Sequence, residues 1–136
     1  MRVAYHEAGH AIVAAVLDVE IDVATAGPKA GRVAYILPPH LSDAERIMMA
    51  MAGDVAELIQ YKRRDLSFGT LQDERVWRSF IADLPDEEQH RYLAHCRKET
   101  RRILKAHWRA VEHVARVLAD VGTMPGAEIK RIVGGE

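Results

Sequence analysis

The most constraining feature of this sequence is the pentapeptide HEAGH at positions 6–10, which lies in a proline-free stretch of mostly apolar residues. This pattern predicts an α-helix over residues 2–17. In a helix His6 and His10 lie about 40° apart around the axis, so both imidazoles leave one face and can share a metal ion. Glu7 lies on the adjoining flank, where its carboxylate can act as a base on a water held by the metal.

The HExxH pattern fixes only three positions, and its alternative interpretation is a helix with two hydrogen-bonded histidines and a solvated glutamate. A catalytic zinc site needs three protein ligands and an open position, so a third ligand must come from elsewhere. Glu57 and Asp73 are the candidates, because both have apolar neighbours at helical spacing. With Thr70 as N-cap, Asp73 could instead serve only to cap its helix. We expect Gly9 to leave room beside the metal.

Composition indicates one globular domain over residues 1–136, with 49% hydrophobic and 29% charged residues. The chain has 19 Lys and Arg against 20 Asp and Glu, so no overall charge favours nucleic acid or an anionic membrane. Cys96 is the single cysteine, which excludes a disulfide framework and favours a reducing cytoplasmic setting. We expect neither a membrane span nor a signal peptide.

Two strands are predicted after the first helix. Apolar and polar residues alternate over residues 21–25, and a second strand is expected over residues 32–37, separated from the first by a glycine-rich turn. The two strands should form a small antiparallel sheet beside the metal helix. Its exposed edge could bind an extended peptide by strand addition, with substrate contacts from Val33, Ala34 and Tyr35.

The rest of the chain is predicted to be helical, which makes the fold α+β and predominantly α-helical. A capping box at Ser42 and Glu45 opens a helix that extends to about residue 59, and a further helix is expected over residues 70–82. One long, continuous helix should start near residue 85, residues 122–126 should break it, and a short helix should follow over 127–133. Its packed stripe consists of Leu93, Cys96, Thr100, Ile103, His107, Val111, Val114 and Leu118.

Four segments in the same order resemble the peptidase domain of FtsH, the membrane-anchored AAA+ zinc protease of bacteria and organelles. The segment AYHEAGHA at 4–11 is similar to that family's metal helix, and GRVAYILP at 31–38 is similar to its G-x-V…LP strand. AGDVAE at 52–57 resembles its GGRxAEE helix. SFG at 67–69, followed by Asp73, resembles the STGAxND segment that carries the family's third zinc ligand.

The resemblance implies roles for individual residues. It implies that Zn²⁺ is bound by His6, His10 and Asp73, that Glu7 is the catalytic base, and that Glu57 lies behind a ligand histidine. The expected function is therefore that of a zinc metalloendopeptidase acting on flexible or unfolded polypeptides.

The sequence also departs from the family pattern. Asp54 replaces an arginine, Leu58 replaces a second glutamate, and Phe68 replaces a threonine. We expect no ATPase domain or membrane helix before Arg2, so unfolding of substrates would need a partner ATPase in trans. We also allow for a homo-oligomer, and we expect no nucleic-acid or membrane partner.

Two other functions are consistent with the sequence. One is a regulatory or binding module that keeps the metal fold but has little activity, although an intact Glu7 argues against it. The weaker alternative is a helical nucleic-acid-binding protein, suggested by the basic residues between positions 97 and 116. Glu99 and Glu112 interrupt that basic segment, which favours an ordinary solvated helix face.

Overall fold

A computed structural model describes residues 1–62 and 68–135 of the chain. The described part is mostly helical with one small antiparallel sheet, which confirms the predicted α+β class. The elements in chain order are α1 (Arg2–Val16), β1 (Glu20–Ala26), β2 (Gly31–Ile36), α2 (Asp43–Tyr61), α3 (Phe68–Ser79), α4 (Asp86–Ala106), α5 (Trp108–Val121), β3 (Thr123–Pro125) and α6 (Gly126–Gly134).

Helix α1 lies at the centre of the molecule. It contacts α2, α5 and the sheet, and every residue from Ala4 to Ala14 is buried. Gly9 lies where α1 packs on α2, and the atoms nearest to it belong to α2. A Cβ atom at this position would lie 2.6 Å from both the Ala52 carbonyl oxygen and the Ala56 Cβ, so the glycine allows α1 and α2 to pack closely.

The sheet has the order β2-β1-β3, and both strand pairs are antiparallel. The predicted hairpin of β1 and β2 is present, with Thr25 opposite Arg32 and an irregularity between Ile21 and Val23. Strand β3 was not predicted: residues 122–126 do end a helix, but Thr123–Pro125 also pairs with β1. Strand β2 therefore lies at an edge of the sheet.

Helix α2 begins where its capping box predicts. The Ser42 hydroxyl accepts a hydrogen bond from the Glu45 backbone N–H at 3.1 Å, and the Glu45 carboxylate accepts one from the Ser42 N–H at 3.1 Å. The helix ends at Lys62, which adopts a left-handed conformation with φ of 64°. Residues 63–67, which follow the predicted end of this helix, lie outside the described residues.

Two helix boundaries differ from prediction. The long C-terminal helix is not continuous, because α4 ends at Ala106 and α5 begins at Trp108. His107 joins them with φ of −114° and ψ of 27°, outside helical geometry, yet the apolar stripe stays largely buried on both sides. Helix α3 begins at Phe68, so Thr70 lies within the helix and is not the N-cap that would explain Asp73 by capping alone.

Helix α3 packs mainly against α2, whereas α1 is in contact with most other elements. Asp73 and Val76 of α3 line a cleft together with residues of α2 and β2. Among the described helices, none is both long and apolar enough to cross a membrane.

Candidate metal centre

Three side chains from two helices meet at one point. Helix α1 supplies His6 and His10, one turn apart on the same face, and α3 supplies Asp73. Oδ2 of Asp73 lies 2.8 Å from Nε2 of His6 and 2.9 Å from Nε2 of His10. The two Nε2 atoms are 3.1 Å apart. The structure thus brings together all three residues predicted to bind zinc.

The second nitrogen of each imidazole has its own partner. Nδ1 of His10 lies 2.7 Å from the Met49 carbonyl oxygen, which can only accept, so Nδ1 carries the hydrogen. Nδ1 of His6 lies 2.8 Å from Oε2 of Glu57, and Oε1 of the same carboxylate accepts from Arg2 at 2.9 Å. These contacts assign the hydrogen to Nδ1 in both neutral rings and direct both Nε2 lone pairs at Asp73.

This arrangement fits a bound cation. Two imidazole lone pairs and a carboxylate oxygen repel one another unless a positive charge lies between them. Tetrahedral zinc with bonds of about 2.0–2.1 Å to nitrogen or oxygen holds its ligand atoms about 3.3 Å apart. The observed separations of 2.8–3.1 Å need only a small outward movement to reach that geometry. His6, His10 and Asp73 therefore fit Zn²⁺ in number, type and spacing.

The electrostatics of the three side chains point the same way. Burial lowers the pKa of His6, but its hydrogen bonds to Asp73 and Glu57 outweigh burial and raise that pKa to about 10. The pKa of His10 is also raised, because its hydrogen bond to Asp73 overcomes burial. Burial raises the pKa of Asp73, but hydrogen bonds to His10 and His6 lower it to about 2. The cluster favours positive charge at its centre.

Glu57 and Asp73, the two candidates for a third ligand, contact different nitrogens of the histidines. Glu57 is almost fully buried and contacts the outer nitrogen of His6, whereas Asp73 contacts both inner nitrogens. Glu57 thus lies where a carboxylate would orient His6, and Asp73 lies where a third ligand would bind a shared ion. His6 also belongs to a second group of potential ligand atoms with Asp54 and Glu57, but that group uses its outer nitrogen side.

Glu7 is buried beside the ligands and lines the same cleft. Burial raises the pKa of its carboxyl above the ordinary value, which makes the carboxylate a stronger base. Strand β2 begins directly against it. A Cβ atom at Gly31 would lie 2.5 Å from Cγ of Glu7, so the glycine lets the strand pass close to the glutamate.

A cleft of about 320 Å³ opens from His6, His10, Asp73 and Glu7. Of the three residues predicted to contact substrate, Val33 and Tyr35 line this cleft, whereas Ala34, between them in β2, does not. The lining residues are His6, Glu7, His10, Gly31, Arg32, Val33, Tyr35, Leu37, Arg46, Met49, Ala50, Asp73, Val76 and Phe80.

Sequence reasoning missed several residues that shape this centre. A Cβ atom at Gly53 would lie 2.5 Å from Nε2 of His6 and 2.6 Å from Nε2 of His10, so only glycine leaves room for both rings. Arg2 pairs with Glu57, and its guanidinium lies 4.4 Å from the centre of the Tyr61 ring. Gly53, the glycine of AGDVAE, could have indicated a close contact from sequence alone. The role of Met49 could not be predicted in this way, because its backbone carbonyl makes the contact and any residue type supplies a carbonyl.

No protein-family model matches the chain, and a search of curated proteins also gives no match. The resemblance to the FtsH peptidase domain therefore stays a prediction from sequence motifs. The convergence of His6, His10 and Asp73 does not depend on it, because the coordinates alone place their ligand atoms together.

Proposed function

We propose that this protein is a zinc-dependent endopeptidase that hydrolyses peptide bonds in flexible or unfolded polypeptides. One observation carries the proposal: Nε2 of His6, Nε2 of His10 and Oδ2 of Asp73 lie within 3.1 Å of one another. Glu7 and an open cleft lie beside them. Three ligands, a base and an access route are the components that a hydrolytic zinc site requires.

In this proposal His6, His10 and Asp73 hold the metal, and Glu57 and the Met49 carbonyl fix the orientation of the two imidazoles. Zinc bound there supplies Lewis acidity, which lowers the pKa of water from about 16 towards about 7 and polarises a carbonyl group.

Glu7 moves the proton. Its buried carboxylate accepts a proton from the attacking water and then donates it to the leaving amine, so one residue serves as base and then as acid. The raised pKa of Glu7 suits both steps, because a stronger base holds the proton until the amine leaves. The pKa of Tyr35 is raised by burial, so its phenol stays a neutral hydrogen-bond donor in the cleft.

Strand β2 is the proposed binding element for the peptide main chain. It lies at the edge of the sheet, begins at Gly31 against Glu7, and lines the cleft through Val33 and Tyr35. An extended segment that adds to this edge would pass Glu7 and the metal ligands. Folded proteins offer few such segments, which is why we propose flexible or unfolded substrates.

We also propose a cytoplasmic setting, on the basis of the single cysteine, and the sequence resemblance adds a partner ATPase acting in trans to deliver unfolded chains and a homo-oligomer. None of them is needed for the chemistry at Glu7. The support for the ATPase partner and the homo-oligomer is the similarity of the HEAGH and AGDVAE segments to the FtsH family.

The decisive experiment compares zinc-loaded wild-type protein with Glu7→Gln and Glu20→Gln on unfolded casein. Glu20 is exposed at the start of β1 and does not line the cleft, so its substitution controls for a lost carboxylate. We expect Glu7→Gln to keep zinc and fold while hydrolysis falls about 100-fold or more, and Glu20→Gln to resemble wild type. If zinc-loaded wild type binds casein without cleaving it, the protein is a binding module and the proposal is wrong.

A further inference from the structure

Helices α2 and α3 each line the cleft with a row of side chains that begins at the candidate metal centre. On α2, Gly53 contacts the ligand imidazoles, Met49 and Ala50 lie one turn away, and Arg46 lies a further turn along. On α3, Asp73 is the predicted ligand and is followed on the same face by Val76; Phe80 comes directly after the end of this helix and lines the same cleft. Spacings of three and four residues place these side chains in rows along the cleft.

The middle of the cleft is apolar and open to solvent. Val76 is 50% exposed and Phe80 is 36% exposed, and on the opposite wall Leu37 is 48% exposed. Single exposed apolar residues are common, but these three line one cleft together with Val33 and Met49. A large apolar side chain of a bound peptide would cover this surface.

The far end of the cleft is positively charged. Arg46 is half-buried and lines the cleft, and it forms no ion pair with any residue in the described ranges. Besides the metal group and Glu7, the charged residues that line the cleft are Arg46 and the exposed Arg32. Their charge complements a carboxylate on the ligand.

The spacing of Arg46 and Ala50 along α2 is close to the spacing of side chains on one face of an extended peptide. Arg46 and Ala50 are four residues apart in α2, which is about 6 Å along the helix axis. Side chains on one face of a strand are two residues apart, which is about 6.6–6.8 Å. A peptide side chain in the apolar region and a second one two positions away would therefore reach the level of Arg46.

We infer that the cleft selects peptides in which a large apolar residue and a glutamate or aspartate are two positions apart, with Arg46 binding the acidic side chain. This inference rests on the proposed function, because it takes the same cleft as the peptide site. A peptide strand can add in the parallel or the antiparallel direction, so the acidic residue can lie on either side of the apolar residue in the peptide sequence.

Binding of short labelled peptides to zinc-loaded Glu7→Gln tests the inference without turnover. The peptides are acetylated and amidated to remove terminal charges, and they carry Leu-Ala-Glu, Leu-Ala-Gln or Leu-Ala-Lys, each also in reversed order. We expect the better glutamate peptide to bind about 5-fold or more tightly than its glutamine counterpart, as a partly buried ion pair would give. Equal affinity for glutamate, glutamine and lysine peptides in both orders would overturn the inference.

Variants at Arg46 locate the effect. In the Glu7→Gln background, Arg46→Met should remove the preference for glutamate, and Arg46→Glu should reverse it in favour of lysine. Arg109→Glu is the matched control, because Arg109 is exposed on α5 and does not line the cleft. Circular dichroism and zinc content establish that each variant is folded. A preference that survives in a folded Arg46→Glu, or that Arg109→Glu abolishes equally, would assign recognition elsewhere.

The two proposals fail in different ways. If wild-type protein cleaves casein but no peptide shows a charge preference, only the inference about Arg46 is wrong. If Leu-Ala-Glu binds selectively through Arg46 but zinc-loaded wild type leaves casein intact, peptide recognition is supported and hydrolysis is wrong.

Discussion

Nδ1 of His6 lies 2.8 Å from Oε2 of Glu57, a residue 51 positions further along the chain. The carboxylate is almost fully buried, and its other oxygen pairs with Arg2. This arrangement holds the His6 ring so that Nε2 faces Asp73. The orientation of one predicted metal ligand thus depends on a contact between α1 and α2.

Replacing Glu57 with glutamine should weaken zinc binding. The amide can still accept a hydrogen bond from Nδ1, but it loses the charge that raises the basicity of the ring, so we expect a loss of about 10- to 100-fold in zinc affinity. Competition with a chromogenic chelator measures it, with exposed Glu88→Gln as control. Wild-type affinity in a folded Glu57→Gln protein would contradict the assigned role.

Asp73→Ala should remove the third ligand. Purified wild-type protein should contain about one zinc per chain, and the variant should bind zinc about 10-fold or more weakly, since a ligand should matter at least as much as an orienting partner. Exposed Asp83→Ala is the matched control. Equal zinc affinity in the Asp73 and Asp83 variants would exclude Asp73 from the ligand set.

Gly53→Ala tests the close packing behind the imidazoles. The added methyl group would lie 2.5 Å from Nε2 of His6 and 2.6 Å from Nε2 of His10, so the rings must move apart. We expect zinc affinity to fall about 10-fold or more, since loss of a group that only orients a ligand imidazole already has an effect of that size. Gly134→Ala is the control: a Cβ atom there would contact no heavy atom within 4 Å, so zinc affinity should stay as in wild type. Mass spectrometry of the native protein can report zinc occupancy, and full occupancy of Gly53→Ala at limiting zinc would refute this.

The effect of zinc on thermal stability should grow with pH. In the metal-free protein the pKa of His6 is raised from 6.5 to about 10, so the stabilisation from its protonated form is complete below about pH 6.5 and is lost as pH rises towards 10. Zinc requires neutral imidazoles, so protons compete with it at low pH. Melting curves with zinc and with chelator from about pH 6 to about pH 9 should diverge. A zinc-induced rise in Tm that shrinks over this interval would be inconsistent with bound histidines.

Local patterns predicted those features whose causes are local. The capping box of Ser42 and Glu45 acts within four residues, and the i, i+4 spacing of His6 and His10 fixes their shared face. The break at His107 was missed because apolar spacing continues across it, so burial was predictable but the change in backbone direction was not.

The features that could not be predicted depend on contacts between residues far apart in the sequence. Three residues of β3 are too few to form a recognisable alternation, and their pairing with β1 joins positions about 100 residues apart along the sequence. Asp73 lies 63 positions from His10, so the HExxH pattern alone left it equal with Glu57 and only the family resemblance selected it. The roles of Gly53 and of the Met49 carbonyl depend on how α2 packs on α1, which no side-chain pattern records.

Because α3 packs mainly against α2, a metal ion shared by α1 and α3 would also be a removable cross-link between them. It would close a segment of 63 positions, and zinc at about 100 times its dissociation constant would stabilise the folded state by about 2.7 kcal/mol. Chelation would then release the helix that carries Val76 and leads into Phe80. Loss of the ion would disassemble one wall of the cleft together with the chemistry at its base.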